Sequence, residues 1–211
     1  MKVDNNQIAV EIFNKHADAY NEKHFDVSLY ASSLNFVAER LADSASVLDL
    51  ACGPGNISNW LLRHKPDLQI LGIDMSAAMI KLAKQNNKSA TFEVRDVRKI
   101  SEINSTFNAI ICGFCLPYLN QPEAEQVIAD ASQLLPINGM LYLSTMEGNY
   151  NQSSLTTSSA GDQLYMYYYD EALLSNILQN NSFIIDHLDR KKYVHNEEEI
   201  TDIIIVARKI A

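Results

Sequence analysis

The stretch Val47-Leu48-Asp49-Leu50-Ala51-Cys52-Gly53-Pro54-Gly55 most restricts what this chain can fold into. It reads as a buried apolar strand running straight into a tight glycine turn. The turn then opens a helix through Asn56, Ile57, Ser58, Trp60, Leu61 and Leu62. A strand–turn–helix of this kind points backbone N–H groups at a ligand near a helix N-terminus. Gly53 and Gly55 let main chain pass where a Cβ would clash. Asp49 is out of place on a buried strand, because a charge there is unfavourable unless something pairs with it. Either it is hydrogen-bonded internally or it faces a polar ligand.

The rest of the chain builds around that unit. Ile8, Ile12, Phe13, Ala17 and Tyr20 recur at helical spacing, as do Leu34, Val37, Ala38 and Leu41, with an irregular link expected over 21–30. A helix over 56–64 stops near Pro66-Asp67. A second strand over Leu68–Ile73 ends at Asp74, and Ser76 caps a following helix through Met79, Leu82 and Ala83. Further strands are expected at Ala90–Val94, Asn108–Cys112 and Met140–Ser144, with a helix from Pro122 to Leu135 before the last. Strands alternating with helices imply βαβ units and a parallel sheet. Residues 148–164 carry no period and read as a long loop, followed by the aromatic run Tyr165–Tyr169. Asp170 caps a helix over Leu173–Leu178. Phe183–Ile185 and Asp202–Ala207 are the last strands, joined by a charged connection over 189–201 in which Arg190-Lys191-Lys192 faces Glu197-Glu198-Glu199. With no helix between them, that last pair must be antiparallel.

The expected fold class is therefore α/β: a three-layer sandwich on a seven-stranded, mostly parallel sheet with an antiparallel C-terminal hairpin strand and an N-terminal helical cap. We divide a single domain into an N-terminal helical cap (1–43), a ligand-binding core (44–147), a lid loop (148–169) and a C-terminal helix and hairpin (170–211). A net charge of −9 over 211 residues argues against a nucleic-acid binder, which needs a basic face. No apolar run reaches the ~18 residues of a membrane span, and the polar start Met1–Asn6 has no signal-peptide core, so a cytoplasmic protein is expected. A monomer or homodimer is expected. Cys52, Cys112 and Cys115 do not form a disulfide framework, and Cys112-x-x-Cys115 lacks the further ligands a zinc site needs. They are read as buried pocket-wall thiols, with no metal.

Four features fall at the carboxyl ends of successive strands, where open α/β sheets bind ligands: the glycine turn, Asp74, Asp96 with Val97, and Cys112-Gly113-Phe114. Asp74 lies about 20 residues after the turn, where a carboxylate accepts from ribose hydroxyls. With these residues in order, the chain resembles the class I (Rossmann-like) S-adenosylmethionine-dependent methyltransferases, of the small-molecule type that includes the ubiquinone-biosynthesis-like enzymes. Leu116-Pro117-Tyr118-Leu119 stands where that family often has Leu-His-His-Leu, and Leu135-Pro136-Ile137-Asn138-Gly139 is similar to its turn before strand five.

The resemblance implies S-adenosylmethionine as cofactor and a small-molecule methyl acceptor. It implies that Asp49 and the Ala51-Cys52-Gly53-Pro54-Gly55 turn surround the methionine moiety, Asp74 takes the ribose hydroxyls and Met75 lies against adenine. Asp96 would take the exocyclic amine, the Val97 N–H a ring nitrogen, and the Cys112 carbonyl the ammonium. Tyr20 would close over the cofactor, and Met79 joins the cofactor set. Met75 and Met79 also read as core fillers, and Tyr20 as a packing residue. The catalytic residue is unknown. His16, Phe114, Tyr118 and Glu147 are the positional candidates for the acceptor pocket, with His16 also readable as a capping residue. Pro117 removes the histidine base the family often has there. A nicotinamide oxidoreductase on a related fold is the competing reading, but Ser58 stands where its third glycine would be. A non-catalytic cofactor-binding relative is the other.

Overall fold

The computed structural model describes residues 4–158, 160–195 and 198–211. Met1–Val3 and Glu197 lie outside the described residues. Helices α1 (Asn5–Lys15), α2 (Ala17–His24) and α3 (Ala31–Ala38) precede β1 (Ser46–Leu50). Then come α4 (Asn56–His64), β2 (Gln69–Asp74), α5 (Ala77–Asn86), β3 (Thr91–Val94), β4 (Ala109–Gly113), α6 (Gln121–Leu134) and β5 (Met140–Met146). The chain ends with a hairpin, β6 (Ser154–Thr157) and β7 (Gln163–Met166), then α7 (Glu171–Asn180), β8 (Phe183–His195) and β9 (Glu198–Lys209).

The main sheet has seven strands in the order β3-β2-β1-β4-β5-β9-β8. Strands β1 to β5 pair in parallel; β9 runs antiparallel to both β5 and β8. The fold class is as the sequence implies. Val47, Ile111, Tyr142 and Ile204 bury one face beneath α3 and α4, while Leu48, Leu50, Ile110, Leu141 and Ile205 bury the other beneath α6 and α7. Both faces being covered is why the central strands read as continuous apolar runs. Helix ends carry the caps their sequences offer: Ser76 Oγ accepts from the Met79 N–H at 3.1 Å, and Asp170 Oδ1 from the Leu173 N–H at 2.8 Å.

Three sequence expectations change. The 148–164 stretch is not a plain loop, because β6 and β7 pair there as a separate two-stranded sheet. Its Ser, Thr and Gln residues conceal a strand that has little apolar side to bury. The last two strands are also far longer than expected. The charged 189–195 segment continues β8, with Lys191 opposite Asp202 and Lys192 opposite Thr201. A charged edge strand resists pairing with other chains, so its polarity mimics a loop. Finally, α2 runs on to His24, into the expected link. Among the described residues no helix is long and apolar enough to cross a membrane.

Candidate functional site

A pocket opens at the carboxyl ends of β1, β2 and β4, beneath α1. Its floor is the glycine turn. Ala51, Gly53 and Gly55 all have positive φ (50°, 53° and 76°), so the chain coils through left-handed conformations that favour glycine. Gly55 starts α4, and a methyl there would run into Asn87 Nδ2. A Cβ added at Gly53 would clash with nothing, its nearest heavy atom being Tyr20 Cε1 at 3.9 Å, an ordinary contact.

Asp74 forms the next wall. Its Oδ2 accepts from the Gly53 N–H at 2.9 Å and its Oδ1 from the Ser76 N–H at 2.7 Å. These bonds fix the carboxylate and leave one lone pair on each oxygen. Burial raises its pKa despite both bonds. Met75, Met79 and Val97 provide the apolar side of the same pocket. Beyond them Gly113, Phe114, Cys115 and Tyr118 follow β4, with Phe114 at φ 53°, held by its N–H to the Ser144 carbonyl at 2.9 Å.

The roof is α1, which contributes Asn6, Ala9, Val10 and Phe13, joined by Tyr20 of α2. Phe13 packs edge-on against both Tyr20 (5.5 Å) and Tyr118 (5.1 Å). Asn6 Nδ2 donates to the Tyr118 carbonyl at 3.1 Å, and Asn14 Oδ1 accepts from Ser76 Oγ at 2.8 Å, pinning α1 across the opening. Burial, then the Asp74 charge, pushes the Tyr20 phenol up to about 12. Burial likewise raises Tyr118. Both phenols are therefore protonated at neutral pH.

Asp49 sits behind the pocket floor rather than on its wall. It is 2% exposed and accepts from Ser58 Oγ at 2.6 Å. Burial, together with the charge of Asp74, pushes its carboxyl up to about 7, although the Ser58 bond works the other way. The opening alternatives thus resolve partly: Asp49 is hydrogen-bonded internally, with no basic side chain on it among the described residues.

Of the residues singled out from the sequence, Tyr20, Ala51, Gly53, Asp74, Met75, Met79, Val97, Phe114 and Tyr118 line one pocket. Cys52, Gly55, Cys112 and Asp96 are not among the residues that line it. The Asp96 carboxylate is held by Arg98, Nη2 at 2.9 Å. His16 and Glu147 are placed elsewhere: His16 Nε2 lies 2.6 Å from Asp162 beyond β6, and Glu147 takes two bonds from Arg190 at 2.7 and 2.6 Å. Cys52, Cys112 and Cys115 are free and buried, and of these only Cys115 lines the pocket. Among the described residues no group of His, Cys, Asp and Glu could hold a metal ion. Sequence reasoning missed Ser58, Asn6, Val10 and Phe13 as site residues. Phe13 was findable, since the sequence already sets it with Tyr20 at helical spacing, although the structure breaks that pattern at His16 into α1 and α2.

Residues 47–139 match the family model described as a methyltransferase domain. The malonyl-[acyl-carrier protein] O-methyltransferase of Bacillus cereus is 30% identical over 138 residues, covering 63% of this chain and 50% of the relative. The ubiquinone/menaquinone biosynthesis C-methyltransferase of Desulfotalea psychrophila is 32% identical over 108 residues, covering 49% and 43%. The chain spans about half the length of the relatives it matches. The crystal structure of magnesium protoporphyrin IX methyltransferase from Synechocystis PCC 6803 with bound SAH superposes with a TM-score of 0.73, 18% identity, and coverage of 98% of this chain and 100% of that one.

Proposed function

We propose that this chain, a methyltransferase-domain protein with the Rossmann-like methyltransferase fold, moves a methyl group from S-adenosylmethionine to a small-molecule acceptor. The observation that carries the reading is the charge pattern of the pocket. Among the described residues its walls hold one carboxylate, Asp74, with Asp49 buried behind the floor, and no lysine, arginine or histidine. Two buried acids call for a cation. The ammonium and sulfonium of S-adenosylmethionine meet that demand, whereas the pyrophosphate of a nicotinamide dinucleotide would be repelled.

The residues present fit the cofactor. The Ala51–Gly55 turn gives the methionine part close access to main chain, Asp49 and the Cys112 carbonyl attract its ammonium, and Asp74 takes the ribose hydroxyls on its free lone pairs. Met75, Met79 and Val97 flank the purine, with Asp96 at its exocyclic amine. When bound, S-adenosylmethionine supplies a methyl group on a sulfonium that is already a good leaving group. The protein then needs mainly to align and to exclude water, and alignment alone is worth roughly 7–11 kcal/mol. Phe13, Tyr20 and Tyr118 close the roof over the reacting region, and Phe114 continues that aromatic wall.

No pocket residue is placed as a strong base. Tyr20 and Tyr118 are held protonated, and His16 and Glu147 are engaged elsewhere. The acceptor therefore brings its own acidity, and the aromatic wall suits a flat one. Acting on free small molecules in the cytoplasm as a monomer or homodimer fits the acidic total charge. The cap and the 148–169 segment together form the lid. Calorimetry with S-adenosylhomocysteine tests the reading: wild type binds and Asp74→Ala does not. Wild type and Asp74→Ala both silent would sink it. A radiolabelled methyl-transfer screen separates an enzyme from a mere binder.

A further inference from the structure

Arg98 follows the pocket residue Val97 on the short 3-10 segment Val97–Glu102. Its guanidinium meets three carboxylates from three parts of the fold. Nε donates to Asp96 Oδ1 at 3.0 Å and Oδ2 at 3.1 Å, and Nη2 to Oδ2 at 2.9 Å. Nη1 and Nη2 reach Asp4 at 3.2 Å, and Nη1 reaches Glu123 Oε1 at 3.1 Å. Asp4 is the N-cap of α1, accepting from the Asn6 and Gln7 N–H groups. Glu123 closes the capping box that starts α6.

We propose that Arg98 is a positioning residue that holds Asp96 ready for the adenine amine and couples that hold to α1, the roof of the pocket. The inference rests on the S-adenosylmethionine reading above. Among the described residues the Asp96 side chain takes hydrogen bonds from Arg98 alone, through the guanidinium and the backbone N–H at 2.9 Å. Without the guanidinium, one backbone bond remains and the carboxylate is free to rotate. Asp4, Asp96 and Glu123 would also face one another with no cation between them. Arginine suits the task because its planar fork serves several carboxylates at once. The same group thus touches the acid assigned to adenine and the acid that begins the roof helix. Adenine binding and roof closure stabilise each other through it.

The test compares S-adenosylhomocysteine with its inosine counterpart, in which a ring carbonyl replaces the exocyclic amine. Calorimetry on Arg98→Met is expected to show the preference for adenine reduced about tenfold, the usual effect of loosening a hydrogen bond to a charged group. Should that variant not fold, Arg98→Lys keeps the charge, loses the fork and gives the same comparison. Asp4→Asn retains a capping oxygen; it is expected to lose much of the ligand-induced protection of α1 amides in hydrogen exchange. Equal weakening of both ligands would mean that Arg98 serves the fold only, and the proposal falls. It falls too if α1 protection in Asp4→Asn matches wild type. Failure of wild type to bind S-adenosylhomocysteine would instead remove the cofactor reading itself.

Discussion

Replacing Asp49 by asparagine separates the two demands on that side chain, folding and binding. In the folded chain its carboxyl titrates at about 7, against an ordinary value of 3.8, chiefly because it is buried. The native state therefore binds the proton more tightly than the unfolded chain. No penalty exists below the ordinary value. Stability falls as pH rises from there to about 7, by about 1.4 kcal/mol per pH unit, and levels off about 4 kcal/mol lower. Asparagine does not titrate. It keeps an acceptor for Ser58 Oγ, 2.6 Å away in the wild type, but buries an amide N–H₂, at a penalty of about 1–3 kcal/mol. The variant is thus close to wild type near about pH 5 and more stable near about pH 8. Its advantage grows between those two values by about 3 kcal/mol, or about 6–12 °C in Tm for a chain of this size. Thermal unfolding of both proteins without ligand at the two pH values measures this. A stability difference that does not change with pH would refute the reasoning, since it would mean that Asp49 carries no burial penalty. The same variant is expected to lose affinity for S-adenosylhomocysteine, because its ammonium loses its buried counter-charge.

Binding of S-adenosylhomocysteine to wild type should favour the ionised Asp49, so affinity tightens as pH rises toward about 7 and complex formation near about pH 6 releases a proton, readable by calorimetry in buffers of different ionisation enthalpy. Gly53→Ala places a methyl at φ 53° where it meets only Tyr20 Cε1, without a clash, so it should destabilise by only about 1–2 kcal/mol while weakening the cofactor markedly. Gly55→Ala adds a clash with Asn87 to the same strain and should lower Tm further in urea or heat unfolding. Thr145 is fully buried, and among the described residues its Oγ1 has no hydrogen-bond partner; Thr145→Val should stabilise by about 1 kcal/mol in urea unfolding. Glu147→Gln should leave turnover unchanged and alter stability by under about 1 kcal/mol, because Glu147 serves a partly exposed pair with Arg190; a large fall in kcat would restore it as a pocket residue.

The central sheet and its binding edge were legible because their signals are local. Val47–Leu50, the glycine turn and the strand-end Asp74 announce themselves within a few residues, since buried parallel strands are uniformly apolar and left-handed turns favour glycine. Strand β8 was misread for the opposite reason. Its lysines and arginine lie on a sheet edge, where charge is tolerated, and only the pairing with β9 makes Arg190–Lys192 a strand. Hairpin β6–β7 was hidden likewise, its strands lacking the apolar alternation that a buried face requires.

For the site, sequence by itself singled out pocket-lining residues carried by the turn and the strand ends: Gly53, Asp74, Val97 and Phe114. Tertiary structure decided what is brought to them from far away in the chain. It laid α1 across the opening, so that Phe13 meets Tyr118, and it put Asp162 on His16, removing that histidine from the pocket wall. It gave Asp49 its Ser58 partner, one turn into the next helix. A residue's type and its neighbours in sequence fix its chemistry. Which other groups share its space depends on packing between segments, and that sets whether a buried acid is paired, protonated or left for a ligand.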